Sequence, residues 1–155
     1  QTFGFSKIRI VETIKLPNSD IYDMCNYIKA TYGNRLFIVT GDASGNNLSA
    51  MVKDNLTYYR IIMNELNLSV NQLIVPTVNP RIEDNRVLVN SVLSRGDFLM
   101  DADKTKPLQF DFENAKVLPD GTLKKMDRSD PTQQLDALDT CRYAINTFMP
   151  TFAET

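Results

Sequence analysis

Histidine is absent from the 155 residues. That absence removes Ser-His triads, histidine general bases and imidazole metal ligands together. Cysteine is scarce: Cys25 and Cys141 are the two, both within helical apolar patterns and at no metal or redox spacing. Reduced, buried thiols are therefore expected, and with them an intracellular setting. No apolar run is long enough to span a bilayer, and the opening residues show no charged n-region followed by an apolar h-region. An excess of positive charge is lacking too. The formal net charge is -2, so any contact with nucleic acid must come from a local cluster rather than bulk attraction. There is no internal repeat, low-complexity tract, linker or Gly-x-x-x-x-Gly-Lys-Ser/Thr phosphate loop. What is present is ordinary: 43% hydrophobic and 23% charged residues fit one soluble globular domain over residues 1–155 with a sizeable core. A metal site built without imidazole must use carboxylate and water, which favours magnesium or manganese.

The stretch that organises the chain is Leu36-Phe37-Ile38-Val39-Thr40-Gly41-Asp42-Ala43-Ser44-Gly45. Its apolar run, bounded by turn signals, predicts a central strand covered on both faces, with Asp42 at its tip between two glycines that allow a sharp turn into Asn46-Asn47 and a helix. Ligands in open α/β sheets collect at that carboxyl edge. A carboxylate there must find donors or a cation, unless it only caps the next helix. Around it, Lys7 to Ile14 alternates as a one-face-covered strand. Pro17-Asn18-Ser19-Asp20 opens a helix carrying Ile21, Met24, Cys25 and Ile28, which Gly33 closes as a left-handed cap. A long helical stripe follows through Leu48, Met51, Val52, Tyr59, Ile62, Met63 and Leu66. Leu73-Ile74-Val75 is a short strand, and Asn79-Pro80 caps a helix through Ile82, Val89, Val92 and Leu93 to Arg95-Gly96. Phe98-Leu99-Met100 is a strand. Asp101 to Ser129, with two prolines and an Asp120-Gly121 turn between Val117-Leu118 and Thr122-Leu123, predicts an irregular excursion holding a hairpin. Asp130-Pro131-Thr132-Gln133 then opens a last helix that buries Leu135, Leu138, Cys141, Ile145 and Phe148 and ends at Pro150. Alternating strands and helices indicate an α/β sheet with helices on both faces.

On the last helix Asp136, Asp139 and Tyr143 share a face beside the buried stripe, while spacing directs Arg142 elsewhere. Two carboxylates one turn apart repel unless a cation joins them. With Asp42 they would form a hard-cation site able to hold two ions and clamp a phosphodiester; otherwise one aspartate is solvated and the other pairs with a lysine.

Three motifs in this order, Gly41-Asp42-Ala43-Ser44-Gly45, Val78-Asn79-Pro80-Arg81-Ile82-Glu83-Asp84-Asn85-Arg86-Val87 and Asp139-Thr140-Cys141-Arg142-Tyr143-Ala144-Ile145, resemble the C-terminal nuclease domain of tailed-phage terminase large subunits. The resemblance spans most of the chain. It implies a ribonuclease H-like mixed sheet, three acidic residues that bind Mg2+ or Mn2+ at a two-metal site, and cleavage of concatemeric viral DNA during genome packaging. Asp42 matches the second family acid and Asp139 the third, better than Asp136 does. It further implies double-stranded DNA, the portal protein and the terminase small subunit as partners, no membrane, and a phage- or prophage-encoded protein in the host cytoplasm at the procapsid portal. The isolated domain is expected to be monomeric. Gln133 and Gln134 stand where family members often carry a histidine. The first acid lies on a strand preceding Lys7 to Ile14, so the chain is expected to be a fragment without that acid and without the ATPase motor.

Glu12, polar within an apolar alternation, and Asp127 are secondary metal candidates, against an edge-strand charge and a solvated run. Lys104, Lys106, Lys124, Lys125 and Arg128 form the local basic cluster of the excursion, and Arg81 and Arg86 offer phosphate contacts from the third helix. Two other readings compete. Asp42 could be a phosphoryl-transfer nucleophile, which needs a second aspartate two residues on, where Ser44 stands, or a well-placed lysine. Alternatively the domain is a non-catalytic docking module that contacts a portal or partner subunit. A fragment lacking one acid should bind metal weakly, so plasmid incubated with this chain and manganese should stay essentially uncut, and robust cleavage would place the site elsewhere.

Overall fold

The computed structural model describes residues 4–46, 56–95 and 98–153. In chain order its elements are β1 (Ile8–Ile10), α1 (Ile21–Tyr32), α2 (Tyr58–Glu65), α3 (Ile82–Ser94), β2 (Phe98–Met100), α4 (Lys106–Asn114) and α5 (Asp136–Phe148). Short 3-10 turns occupy Ala43–Asn46, Val70–Gln72, Pro131–Gln133 and Pro150–Ala153. The architecture is mixed α/β. Among the described residues the sheet consists of β1 and β2, which pair in parallel with Ile8 opposite Phe98 and Ile10 opposite Met100. The expected sheet is larger than this pair. No helix of the described residues is long and apolar enough to cross a membrane.

The chain forms two compact units, one of Gln1–Lys15 with Pro80–Thr155 and one of Leu16–Asn79. In the first, α5 is the centre. Leu138, Cys141, Arg142 and Ile145 recur along its inner face at helical spacing and pack with Leu88, Val89 and Val92 of α3, Leu108 of α4, and Leu135, Met149 and Phe152. Partly buried Ile8, Ile10, Phe98 and Met100 lay the sheet on this cluster. In the second unit α1 packs on α2 around Cys25 and Ile61, with a Lys29–Glu65 ion pair of 3.1 Å at the edge. Both cysteines are free and buried as expected. Burial raises the Cys25 thiol and pushes that of Cys141 up to about 12.

Several elements differ from expectation. Helix α1 starts in a reciprocal capping box, Asp23 N donating to Asp20 and Asp20 N to Asp23, but Gly33 has φ -59, so its end is right-handed rather than left-handed. The central strand shrinks to one bridge. Val39 N donates to Gln72 O at 2.7 Å and Ile74 N to Val39 O at 2.8 Å, while Leu36 is 86% and Ile38 42% exposed, so one face alone is covered. Residues 47–55, which include the predicted Leu48, Met51 and Val52 turns, lie outside the described residues, as does Gly96. Helix α4 replaces the first part of the predicted excursion. Pro107 sits in its first turn, where a missing N–H costs nothing. The hairpin is present, with Val117 bridging Leu123 across a Gly121 at φ 86. Asp130 caps the 3-10 turn instead of a helix, and α5 begins only after Leu135, which adopts φ 53.

A leucine in that conformation cannot cap. Asp111 of α4, 4% exposed, does so from outside: its carboxylate accepts Leu138 N, in the first turn of α5, at 3.0 Å. Asp111→Ala leaves that buried N–H without an acceptor and should lower unfolding stability by about 2 kcal/mol. Urea unfolding followed by circular dichroism checks this, and an unchanged midpoint would mean that the cap is dispensable.

Candidate metal-binding carboxylates

Asp42 follows the Val39 bridge and is held from three directions within its unit. Its Oδ1 accepts Ser44 N at 2.8 Å and Asn79 Nδ2 at 2.6 Å. Tyr59 donates its hydroxyl to Asp42 O at 2.6 Å. Asn79 completes a two-way clamp, because its own Oδ1 accepts Ala43 N at 2.8 Å. Asn79 therefore does not cap α3, whose cap residue is Arg81. The glycines beside Asp42 serve the tyrosine. A Cβ on Gly45 would lie 2.6 Å from Tyr59 Cε2, and one on Gly41 would collide with the Tyr59 hydroxyl. Through Ser44 N, Asp42 closes the start of the Ala43–Asn46 turn; the start of the longer helix predicted behind it falls in residues 47–55, outside the described residues.

In the other unit, Asp139 sits in the first turns of α5, where an anion is also favoured by the helix dipole. Its Oδ1 accepts Arg142 Nη2 at 2.6 Å and Nε at 3.2 Å, and its Oδ2 accepts the ammonium of Lys125. The expectation that Arg142 points elsewhere is corrected. Three residues on is a facing position on a helix, and the arginine folds back onto Asp139. Arg142 is 8% exposed and its guanidinium lies 5.6 Å from the ring centroid of Tyr143. Asn85 of α3, 1% exposed, accepts Arg142 Nη1 at 2.8 Å. Asp136, on the exposed side, pairs with Arg128 at 2.8 Å.

The remaining candidates divide. Arg81 is tied to Glu83 at 3.4 Å and Asp84 at 3.9 Å. Arg86 lines an apolar groove of about 320 Å³ whose walls include Ile82, Leu93 and Phe112, which is why Ile82 and Leu93 stay near 40% and 38% exposed rather than joining the core. Lys125 and Arg128 are engaged by Asp139 and Asp136. Lys124 lies by Asp130, whose carboxyl is held below the ordinary range first by the Gln133 side-chain amide and then by Thr132. Asp127 accepts Ser129 N and Oγ, which lowers its carboxyl likewise and makes it a turn-former. Glu12 lies beyond the end of β1 and is half-buried. The residues missed were Asn85 and Arg142. Asn85 stands on the α3 stripe with Leu88, Val89 and Val92, and a polar residue on a buried stripe is the signal that could have found it.

The donors suit a hard divalent ion in kind, being carboxylate oxygens with no imidazole in the chain and both thiols buried, although Lys125 already neutralises Asp139 Oδ2. Among the described residues no group of three or more His, Cys, Asp or Glu stands together as a metal cage. Comparison with family models, curated proteins and solved structures gives no match for this chain.

The Asn79 clamp is open to direct measurement. Asn79→Ala should speed hydrogen exchange at the Ala43 amide roughly fivefold, the equivalent of one hydrogen bond of about 1 kcal/mol; an unaltered Ala43 rate would show that Asn79 does not hold the loop.

Proposed function

We propose that this chain is the nuclease domain of a viral DNA-packaging motor, of ribonuclease H-like fold, with Asp42 and Asp139 as ligands of Mg2+ or Mn2+ and Asp136 beside them. The observation that supports this reading is that both acids singled out by the motifs are half-buried carboxylates held in place by neighbouring side chains, Asp42 by Asn79 and Asp139 by Arg142 of the same helix, which Asn85 of α3 anchors in turn. Pre-set carboxylates of this kind are what metal binding needs, since the cost of ordering them is met during folding. A bound divalent ion would supply a nucleophile from water at neutral pH and stabilise charge on the phosphate oxygens. The chain's own cations would hold the DNA backbone rather than read bases. Of these, Arg86 and the exposed Lys104 and Lys106 are better placed than Arg81 and Arg128, which are paired with carboxylates.

One observation favours the second reading, a docking module that contacts a portal or partner subunit: Lys125, Arg142 and Arg128 already neutralise Asp139 and Asp136. Manganese separates the two. Mn2+ added in small increments to the 15N-labelled chain should broaden the amides of Gly41–Gly45 and of Asp136–Tyr143 together, and Asp42→Asn or Asp139→Asn should weaken the broadening at both segments. Broadening of one segment alone, or of neither, would overturn the nuclease assignment and leave the docking reading.

A further inference from the structure

We infer that Asn85 is a positioning residue for Asp139: it locks Arg142, Arg142 pins Oδ1 of Asp139, and Oδ2, the oxygen on which Lys125 rests, is the one the carboxylate presents to a divalent cation. The metal part of this inference rests on the nuclease reading; the lock itself does not.

The two cations on Asp139 are unlike. Arg142 has a side chain 9% exposed and contacts one carboxylate oxygen through two nitrogens. Its third contact, Nη1 to Asn85 Oδ1 at 2.8 Å, comes from another helix, and Asn85 Nδ2 donates back to Arg142 O at 3.4 Å. A planar guanidinium held on both edges cannot swing without breaking bonds in a buried site. Lys125 is 28% exposed and touches Asp139 through a single ammonium on a flexible stem. Charge gives the same ranking. One arginine balances one aspartate, so the lysine is the surplus cation and the replaceable one.

The position of Asn85 adds to the argument. It shares the α3 stripe with Leu88, Val89 and Val92, where an apolar side chain would pack without needing a partner. A largely buried polar network such as Asn85–Arg142–Asp139 is weak evidence for stability, since apolar replacements are often neutral or favourable. Its effect is orientation: it decides which oxygen of Asp139 faces outward. Residues that orient metal ligands typically change affinity tenfold or more when removed.

The test uses two readouts on the intact chain. Without metal, a locked Arg142 should give separate Nη1 and Nη2 proton signals; Asn85→Leu should merge them, and Asn85→Asp, which keeps an acceptor, should retain them. Signals that stay separate in Asn85→Leu would overturn the lock. With Mn2+, followed by line broadening at Asp136–Tyr143, Asn85→Leu should bind roughly tenfold more weakly, whereas Lys125→Ala should bind severalfold more tightly because a competing cation is gone. General loss of fold would weaken both variants and cannot produce opposite signs. Equal affinity for Asn85→Leu and the parent chain would refute the positioning role. No broadening in the parent chain would refute the metal reading, and the Arg142 signals would still decide the lock.

Discussion

The first unit depends on a helix start that the helix does not supply for itself. Leu135 is wholly buried and turns with φ 53 into α5, so the position that ordinarily carries a capping oxygen is given over to the core. The acceptor comes instead from Asp111 on α4. That substitution ties two helices together at one buried bond, and it sets the level at which α5 begins. Everything chemical in this unit is counted from there: Asp136 and Asp139 fall in the first turns, near Arg128 and Lys125, and Arg142 falls one turn further, against Asn85. A shift of one residue would rotate Asp139 by about 100° away from both cations.

The two carboxylates are fixed by different means that reach the same result. Asp42 stands on a short segment with one ladder bridge, where backbone pairing alone gives little rigidity, and its order comes from the Asn79 clamp and the Tyr59 ring packed against two glycines. Asp139 stands on a regular helix, and its order comes from a guanidinium anchored on a neighbouring helix. In each case the partner is a side-chain amide from outside the element: Asn79 for the first, Asn85 through Arg142 for the second. Both asparagines belong to the one stretch Val78 to Val87.

Local rules made much of this legible. The apolar period of α5 gave its buried face, the Asp20 start of α1 and the hairpin at Asp120-Gly121 came from capping and turn chemistry, β1 followed from alternation and β2 from a short apolar run. Failure came where one residue type has two uses. Pro107 reads as a breaker yet opens α4, whose Leu108, Asp111, Phe112 and Ala115 keep helical spacing. Asn79 before a proline reads as a cap yet reaches Asp42. The run Leu36 to Thr40 is apolar enough for a central strand, but strand burial is set by partners elsewhere in the chain, and those partners leave no local trace. Spacing alone directs Arg142 away from Asp139, yet a position three residues on faces it, and two acceptors, Asp139 and Asn85, make the inward position tolerable.

The charge at the head of α5 carries one more consequence. Two aspartates, 136 and 139, hold three cations there, and the amino end of the helix adds a partial positive charge. The site therefore leans positive before any ligand arrives. An incoming divalent ion would meet repulsion unless a cation leaves, and Lys125, partly exposed and singly bonded, is the one that can. On the nuclease reading, a displaced Lys125 ammonium would leave its charge free beside Asp139, so the cation that opposes metal binding would also favour an anionic substrate.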